Sequence, residues 1–196
     1  MIDLFTIENF LDDATLDDVR EEMRRAGGAP ATVLGAGAPG MLQLSVRKTT
    51  RVDVHDAIRQ RIATLLMDRK AQIEKHFALH LGSCEPPQFL RYGEGDYFVP
   101  HQDGNTPMLH DDSRFRRISA VLFLSTPAAD PQPDTYGGGA LVFHGSRSEP
   151  ELRVPVTPPP GTLVTFRSET THEVTPVTHG ERWTVVSWFR APDVPA

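Results

Sequence analysis

Two histidines, one aspartate and one arginine raise the first chemical question. His101-Gln102-Asp103 sets an imidazole and a carboxylate two residues apart. On an extended strand, residues i and i+2 face the same way, so both groups can reach one ion. His172 lies in Thr170-Thr171-His172-Glu173-Val174, just after a β-prone run. Two imidazoles and one carboxylate on one side of a metal leave positions open for further reactants, as in non-haem iron(II) sites. Zinc or nickel accept the same donors, so the triad alone does not name its metal. Arg182 lies ten residues past His172, at the head of an apolar, β-prone run over 183–189. A guanidinium there is costly to bury unless it meets an anion, and its rigid fork suits a carboxylate. A zinc hydrolase would not need that anion partner.

These residues require elements to hold them. From residue 86 onward, β-prone runs at 88–92, 118–124, 140–144, 163–167 and 183–189 alternate with Gly and Pro. Many short strands with such punctuation predict a sandwich or barrel. The first eighty residues are helix-rich. Asp12-Asp13-Ala14-Thr15 offers N-caps for a helix with Leu16, Val19 and Met23 on its apolar face, ended by Gly27-Gly28. A Gly-, Ala- and Pro-rich loop is expected over 29–40. One longer helix is then expected from about Asp53, with Ile58, Ile62, Leu65, Leu66, Ile73 and Phe77 inward. Exposed loops are expected over 104–114 and 127–139. The expected organisation is a single domain over 1–196: a helix-rich part at 1–80 supporting a β-core at 86–190.

The ordered series of motifs resembles the 2-oxoglutarate and iron(II)-dependent oxygenase superfamily, in its prolyl 4-hydroxylase-like branch. It comprises Tyr92, Gly95 and Tyr97 ahead of His101-Gln102-Asp103, then Arg117-Ile118-Ser119-Ala120-Val121-Leu122-Phe123-Leu124 and Gly138-Gly139-Ala140-Leu141-Val142-Phe143. Pro159-Pro160-Gly161-Thr162-Leu163-Val164-Thr165-Phe166, His172-Glu173-Val174, Arg182 and Trp188 complete it. The resemblance implies a mainly β fold with flanking helices around a double-stranded β-helix, or jelly-roll, core. It implies iron(II) on His101, Asp103 and His172, and 2-oxoglutarate on Arg182 with Tyr92 beside it. Trp188 would wall the pocket. The implied reaction couples decarboxylation of 2-oxoglutarate by dioxygen, giving succinate and carbon dioxide, to hydroxylation of an unactivated C–H bond; ascorbate is an expected accessory reductant. The chain departs from the branch at one point. Some relatives carry a tyrosine in the strand after the triad loop to help bind the far carboxylate, whereas this strand reads Ala120-Val121-Leu122-Phe123.

The resemblance suggests a prolyl residue in a peptide or protein as substrate, with a free amino acid or small metabolite as the rival. Tyr97, His110 and Arg167 are the expected substrate contacts. Asp103 argues against halogenation, where a small residue replaces the carboxylate. Trp188 occupies the position at which nucleic-acid demethylases of the superfamily carry a second arginine. A non-catalytic sensor of 2-oxoglutarate, or a cupin-like zinc protein, would keep the same ligands. His55, His76, His80, His144 and His179 read as ordinary structural or surface histidines. The formal charge of −6, without a basic stripe, disfavours nucleic acid. Cys84 is the only cysteine, so no internal disulfide forms, which suits a reducing compartment. Neither a signal peptide nor a membrane span is legible, and a cytoplasmic protein is expected.

Overall fold

In the computed structural model, which describes residues 2–31, 46–106, 111–146 and 148–192, the chain opens with β1 (Leu4–Ile7) and α1 (Asp13–Arg25). Next come β2 (Gly28–Pro30), β3 (Arg47–Lys48) and β4 (Thr50–Val52), then α2 (Asp56–Asp68) and α3 (Lys70–Phe77). The remainder is mostly strand: β5 (Gln88–Tyr92), β6 (Tyr97–His101), β7 (Arg116–Phe123), β8 (Thr126–Pro127), β9 (Thr135–Gly138) and β10 (Leu141–His144). It ends with β11 (Arg153–Val156), β12 (Leu163–Arg167), β13 (His172–Val174), β14 (Val177–Gly180) and β15 (Arg182–Arg190).

One seven-stranded sheet has the order β1-β12-β7-β15-β5-β4-β2, and a five-stranded sheet the order β11-β10-β13-β6-β3. A small third sheet, β14-β9-β8, adjoins the start of β15. Period-two alternation explains how the layers stack. On β7, Ile118, Ala120 and Leu122 share a core with Leu16, Val19 and Met23 of α1 and with Ile62, Leu66, Ile73 and Phe77 of α2 and α3. The intervening Val121 and Phe123 instead meet Leu141, Phe143, Val164 and Phe166 between the two larger sheets. The helices therefore cover one face of the seven-stranded sheet, and its other face turns inward. The fold is mainly β with flanking helices, around the jelly-roll core that the motif series implied.

The predicted strands appear, with small shifts at their ends, and several short ones add to them. Asp12 caps α1, its carboxylate accepting the Thr15 N–H at 2.7 Å. The helix stops at Arg25, ahead of the predicted glycines, because Ala26 is already extended and Gly28 enters β2. The loop expected over 29–40 thus starts inside a strand, and residues 32–45 lie outside the described residues. The single long helix is two helices broken at Arg69, whose N–H reaches back to the Leu66 and Met67 carbonyls. The step from Leu66 to Ile73 brings an α-helix almost back to the same face, so the break turns the axis without disturbing the apolar pattern.

Two loop expectations also need correction. Within 104–114, Gly104 and Ser113 are buried, and Asp112–Phe115 forms a 3₁₀ turn capped by Asp111. Residues 107–110 lie outside the described residues, and His110 with them. The segment 127–139 is not an exposed loop throughout, since β9 packs on β14 and Tyr136 is buried. Its glycines serve close approach: a Cβ on Gly137 would lie 2.2 Å from the His179 ring, and one on Gly138 would lie 2.3 Å from the Pro176 carbonyl.

Candidate active site

The inward face of the seven-stranded sheet forms one wall of a cavity of about 290 Å³. Strand alternation places Gln88, Leu90 and Tyr92 of β5 there, with Arg182, Thr184, Val186 and Trp188 of β15. Leu141, His101, His172 and Val174 face them from the five-stranded sheet. His101 and His172 sit directly opposite each other on β6 and β13. Asp103 is not on the strand that the two-residue spacing suggested. Strand β6 ends at His101, and the Asp103 N–H donates to the Ser168 carbonyl, which swings the carboxylate back beside the imidazoles.

The ligand atoms of His101, Asp103 and His172 all lie within 4.8 Å of one another. Nδ1 of His101 is 2.8 Å from the Val99 carbonyl, and Nδ1 of His172 is 2.9 Å from the Thr170 carbonyl. A carbonyl only accepts, so each Nδ1 carries the proton and each Nε2 presents its lone pair. Each Nε2 stands 3.6 Å from an Asp103 carboxylate oxygen. Burial, reinforced by His101, pushes His172 down to about 4, so it is neutral at neutral pH. Burial alone would raise Asp103, but His172, His101 and the Ser119 hydroxyl outweigh it and hold the carboxyl well below the usual range. A neutral His172, an ionised Asp103 and the free Nε2 of His101 make a donor set that suits a divalent metal. The donor set and its spacing fit iron(II).

Two side chains support Asp103 from behind. Ser119 donates its hydroxyl proton to Asp103 Oδ2 at 2.7 Å and lies 3.1 Å from the Ser168 hydroxyl. Arg116 makes two parallel contacts with Glu85, at 2.8 and 2.7 Å, reaches the Asp103 carbonyl at 3.3 Å, and lies 3.7 Å over the Trp188 ring. Groups that orient a metal ligand are typically worth about 10- to 100-fold in metal affinity. Ser119→Ala should therefore weaken iron(II) binding by roughly tenfold or more, with little change in the melting temperature of the metal-free protein. Metal titration of the variant measures this, and wild-type affinity would remove Ser119 from the site's support.

At the other end of the cavity, Arg182 is 2% exposed. Its Nε and Nη2 find no hydrogen-bond partner among the described residues, and neither does Thr184 Oγ1 beside it. The guanidinium carbon lies 5.3 Å from the Tyr92 ring centre and 5.1 Å from that of Phe123. A buried cation walled by aromatic rings, with open donors, is suited to an anion. Tyr92 and Trp188 both line the cavity, whereas Tyr97 and Arg167 are absent from its walls. Arg167 donates to the Phe77 carbonyl at 2.8 Å and packs over the Phe77 ring. Ser119 and Thr184 were missed by the reading of the sequence. A lone hydroxyl on the inward phase of an apolar strand is the signal that would have found both.

The fold and this site fit a metal-dependent oxygenase, with two histidines, one carboxylate and a buried arginine in one cavity. Residues 87–190 match the 2OG-Fe(II) oxygenase superfamily, and the chain belongs to that superfamily. It is thus an enzyme of the class that uses iron(II), 2-oxoglutarate and dioxygen. It is similar to a PKHD-type hydroxylase of Shewanella sp. (strain MR-7), 29% identical over 96% of this chain and 78% of the relative. Among solved structures it resembles a Pseudomonas putida prolyl-4-hydroxylase, with a TM-score of 0.71, 22% identity, and coverage of 97% of this chain and 94% of that one. It also resembles a Trichoplax adhaerens prolyl hydroxylase bound to a hypoxia inducible factor peptide fragment, with a TM-score of 0.74, 14% identity, and coverage of 97% and 84%. Among the described residues, no helix is long and apolar enough to cross a membrane.

Proposed function

We propose that this protein hydroxylates a prolyl residue in a peptide or protein, with His101, Asp103 and His172 holding iron(II) and Arg182 holding the distal carboxylate of 2-oxoglutarate. The observation that carries this reading is the pairing of a metal-ready triad with a buried guanidinium, two of whose nitrogens are unpaired among the described residues, in one cavity. The shared core of helices and strands supports one oxygenase domain. Iron(II), 2-oxoglutarate and dioxygen, when bound, would supply the oxidising power, with succinate and carbon dioxide as co-products. The protein contributes orientation and exclusion of water. Arg182 and Thr184 fix one end of the co-substrate, while Tyr92 and Phe123 shield the guanidinium from solvent. Ser119 and Arg116 hold Asp103 in place.

Support for a polypeptide substrate comes from the similarity to a prolyl hydroxylase solved with a peptide fragment. Phe98 stacks on His101 with ring centres 3.5 Å apart, and Arg47 lies over Phe98. Arg47, Arg51, Ala31 and Gln88 line the same cavity as the triad. Prolyl hydroxylation is also what the named structural relatives suggest. The test is anaerobic titration of the iron(II) protein with 2-oxoglutarate, followed by assay of succinate and of oxygen added to proline-containing peptides or to free proline. A visible charge-transfer band and an oxidised peptide are the expected results. Oxidation of free proline alone would move the assignment to a small molecule. A missing band in a protein that still binds zinc would end the oxygenase reading of these residues.

A further inference from the structure

The inward position of β7 beside Arg182 is Phe123, so that strand brings no hydroxyl to the guanidinium. A tyrosine nevertheless arrives there from another strand. Tyr136 of β9 is 1% exposed, and its hydroxyl has no hydrogen-bond partner among the described residues. β9 pairs with β14 through Tyr136 and Gly180, two residues before Arg182. Gly139 measures how close the two side chains come. A Cβ built there would lie 2.9 Å from Arg182 Cδ and 3.3 Å from Tyr136 Cε2. Gly139 holds a φ of +57°, so the backbone leaves this corner to those two side chains.

We propose that the Tyr136 hydroxyl is a second donor to the distal carboxylate of 2-oxoglutarate, beside the Arg182 fork. This rests on the assignment of Arg182 given above. A fully buried hydroxyl without a partner is unusual, because the group loses water and gains nothing. Here it shares a corner with two unpaired guanidinium nitrogens. Burial raises the phenol's pKa, while the charge of Arg182 and its close approach to the hydroxyl oppose that rise, so the hydroxyl keeps its proton and can donate. An incoming carboxylate has enough lone pairs to accept from the fork and from the phenol together. Tyr136 is thus a positioning residue supplied by the glycine-flanked strand β9, and it replaces the hydroxyl missing from β7.

The test compares two 2-oxo acids that chelate iron in the same way but differ at the far end. 2-Oxoglutarate carries the distal carboxylate and pyruvate lacks it. Binding of each to the anaerobic iron(II) protein is measured for wild type, Tyr136→Phe and Arg182→Ala. Tyr136→Phe should weaken 2-oxoglutarate by about tenfold or more, the usual size for a hydrogen bond to a charged group, and leave pyruvate unchanged. The melting temperature of the ligand-free variant should stay level or rise, since the lost hydroxyl had no partner. Unchanged 2-oxoglutarate affinity in Tyr136→Phe, with a large loss in Arg182→Ala, would overturn the role of Tyr136 and leave the Arg182 assignment standing. Equal losses for both acids, or a fall in the ligand-free melting temperature, would make Tyr136 a structural residue and also overturn it. If wild type does not favour 2-oxoglutarate over pyruvate, or Arg182→Ala changes neither, the assignment beneath the inference fails first.

Discussion

His172→Ala should abolish turnover and remove the rise in melting temperature that iron(II) gives the wild-type protein. His172 is buried with its Nδ1 proton on the Thr170 carbonyl, so Nε2 is its only free lone pair and points at Asp103. Its removal leaves one imidazole and one carboxylate, too few to hold the ion against water. Groups that merely orient a ligand are worth about 10- to 100-fold, so loss of the ligand itself should exceed roughly 100-fold in affinity. A ligand present at 100 times its Kd stabilises a fold by about 2.7 kcal/mol, which a melting curve resolves easily. The ring also packs edge-on against Phe166 at 4.7 Å, so the metal-free variant should melt somewhat lower than metal-free wild type. The decisive quantity is therefore the shift on adding metal. An undiminished shift in His172→Ala would show that the ion sits elsewhere.

The parts of this fold that follow strict periodicity were legible in the sequence. Strands β5 and β12 fall where alternation and β-propensity put them, and α1 starts at its Asp12 cap. These features are local, and local rules find them. The triad was legible for another reason: its residue types are costly or uninformative in isolation but come in a fixed order. Even so, the two-residue spacing of His101 and Asp103 suggested the right neighbours through the wrong geometry. Asp103 is positioned by a long-range bond to Ser168, which no spacing rule contains. The break at Arg69 escaped because a seven-residue step preserves the helical face. The most instructive miss is the stretch around Tyr136. Consecutive glycines read as a loop, yet they let β9 press against β14 and carry a tyrosine to Arg182. Only the paired strand reveals whether a glycine serves freedom or close contact.

Arg182→Ala is expected to separate co-substrate binding from metal binding. The guanidinium is 2% exposed and stands on the first residue of β15, opposite Tyr92. It is not among the three residues placed to hold a metal ion, so iron(II) should still raise the melting temperature of the variant. 2-Oxoglutarate should add little further. Truncating one partner of a buried, hydrogen-bonded charge pair costs about 2–5 kcal/mol, or roughly 30- to several-thousand-fold in affinity. Arg182→Lys should recover only part of the loss, because an ammonium restores the charge but not the two-pronged fork. The ligand-free protein gives an independent reading. Wild type pays to bury Nε and Nη2 unpaired, and alanine removes that penalty while opening a cavity. The two effects oppose each other, so the ligand-free melting temperature should fall less than for a comparable truncation in the apolar core, such as Phe166→Ala. A variant that kept wild-type affinity for 2-oxoglutarate would show that this buried cation answers to a different anion. A variant that lost iron(II) together with 2-oxoglutarate would show that the two ends of the cavity are not independent.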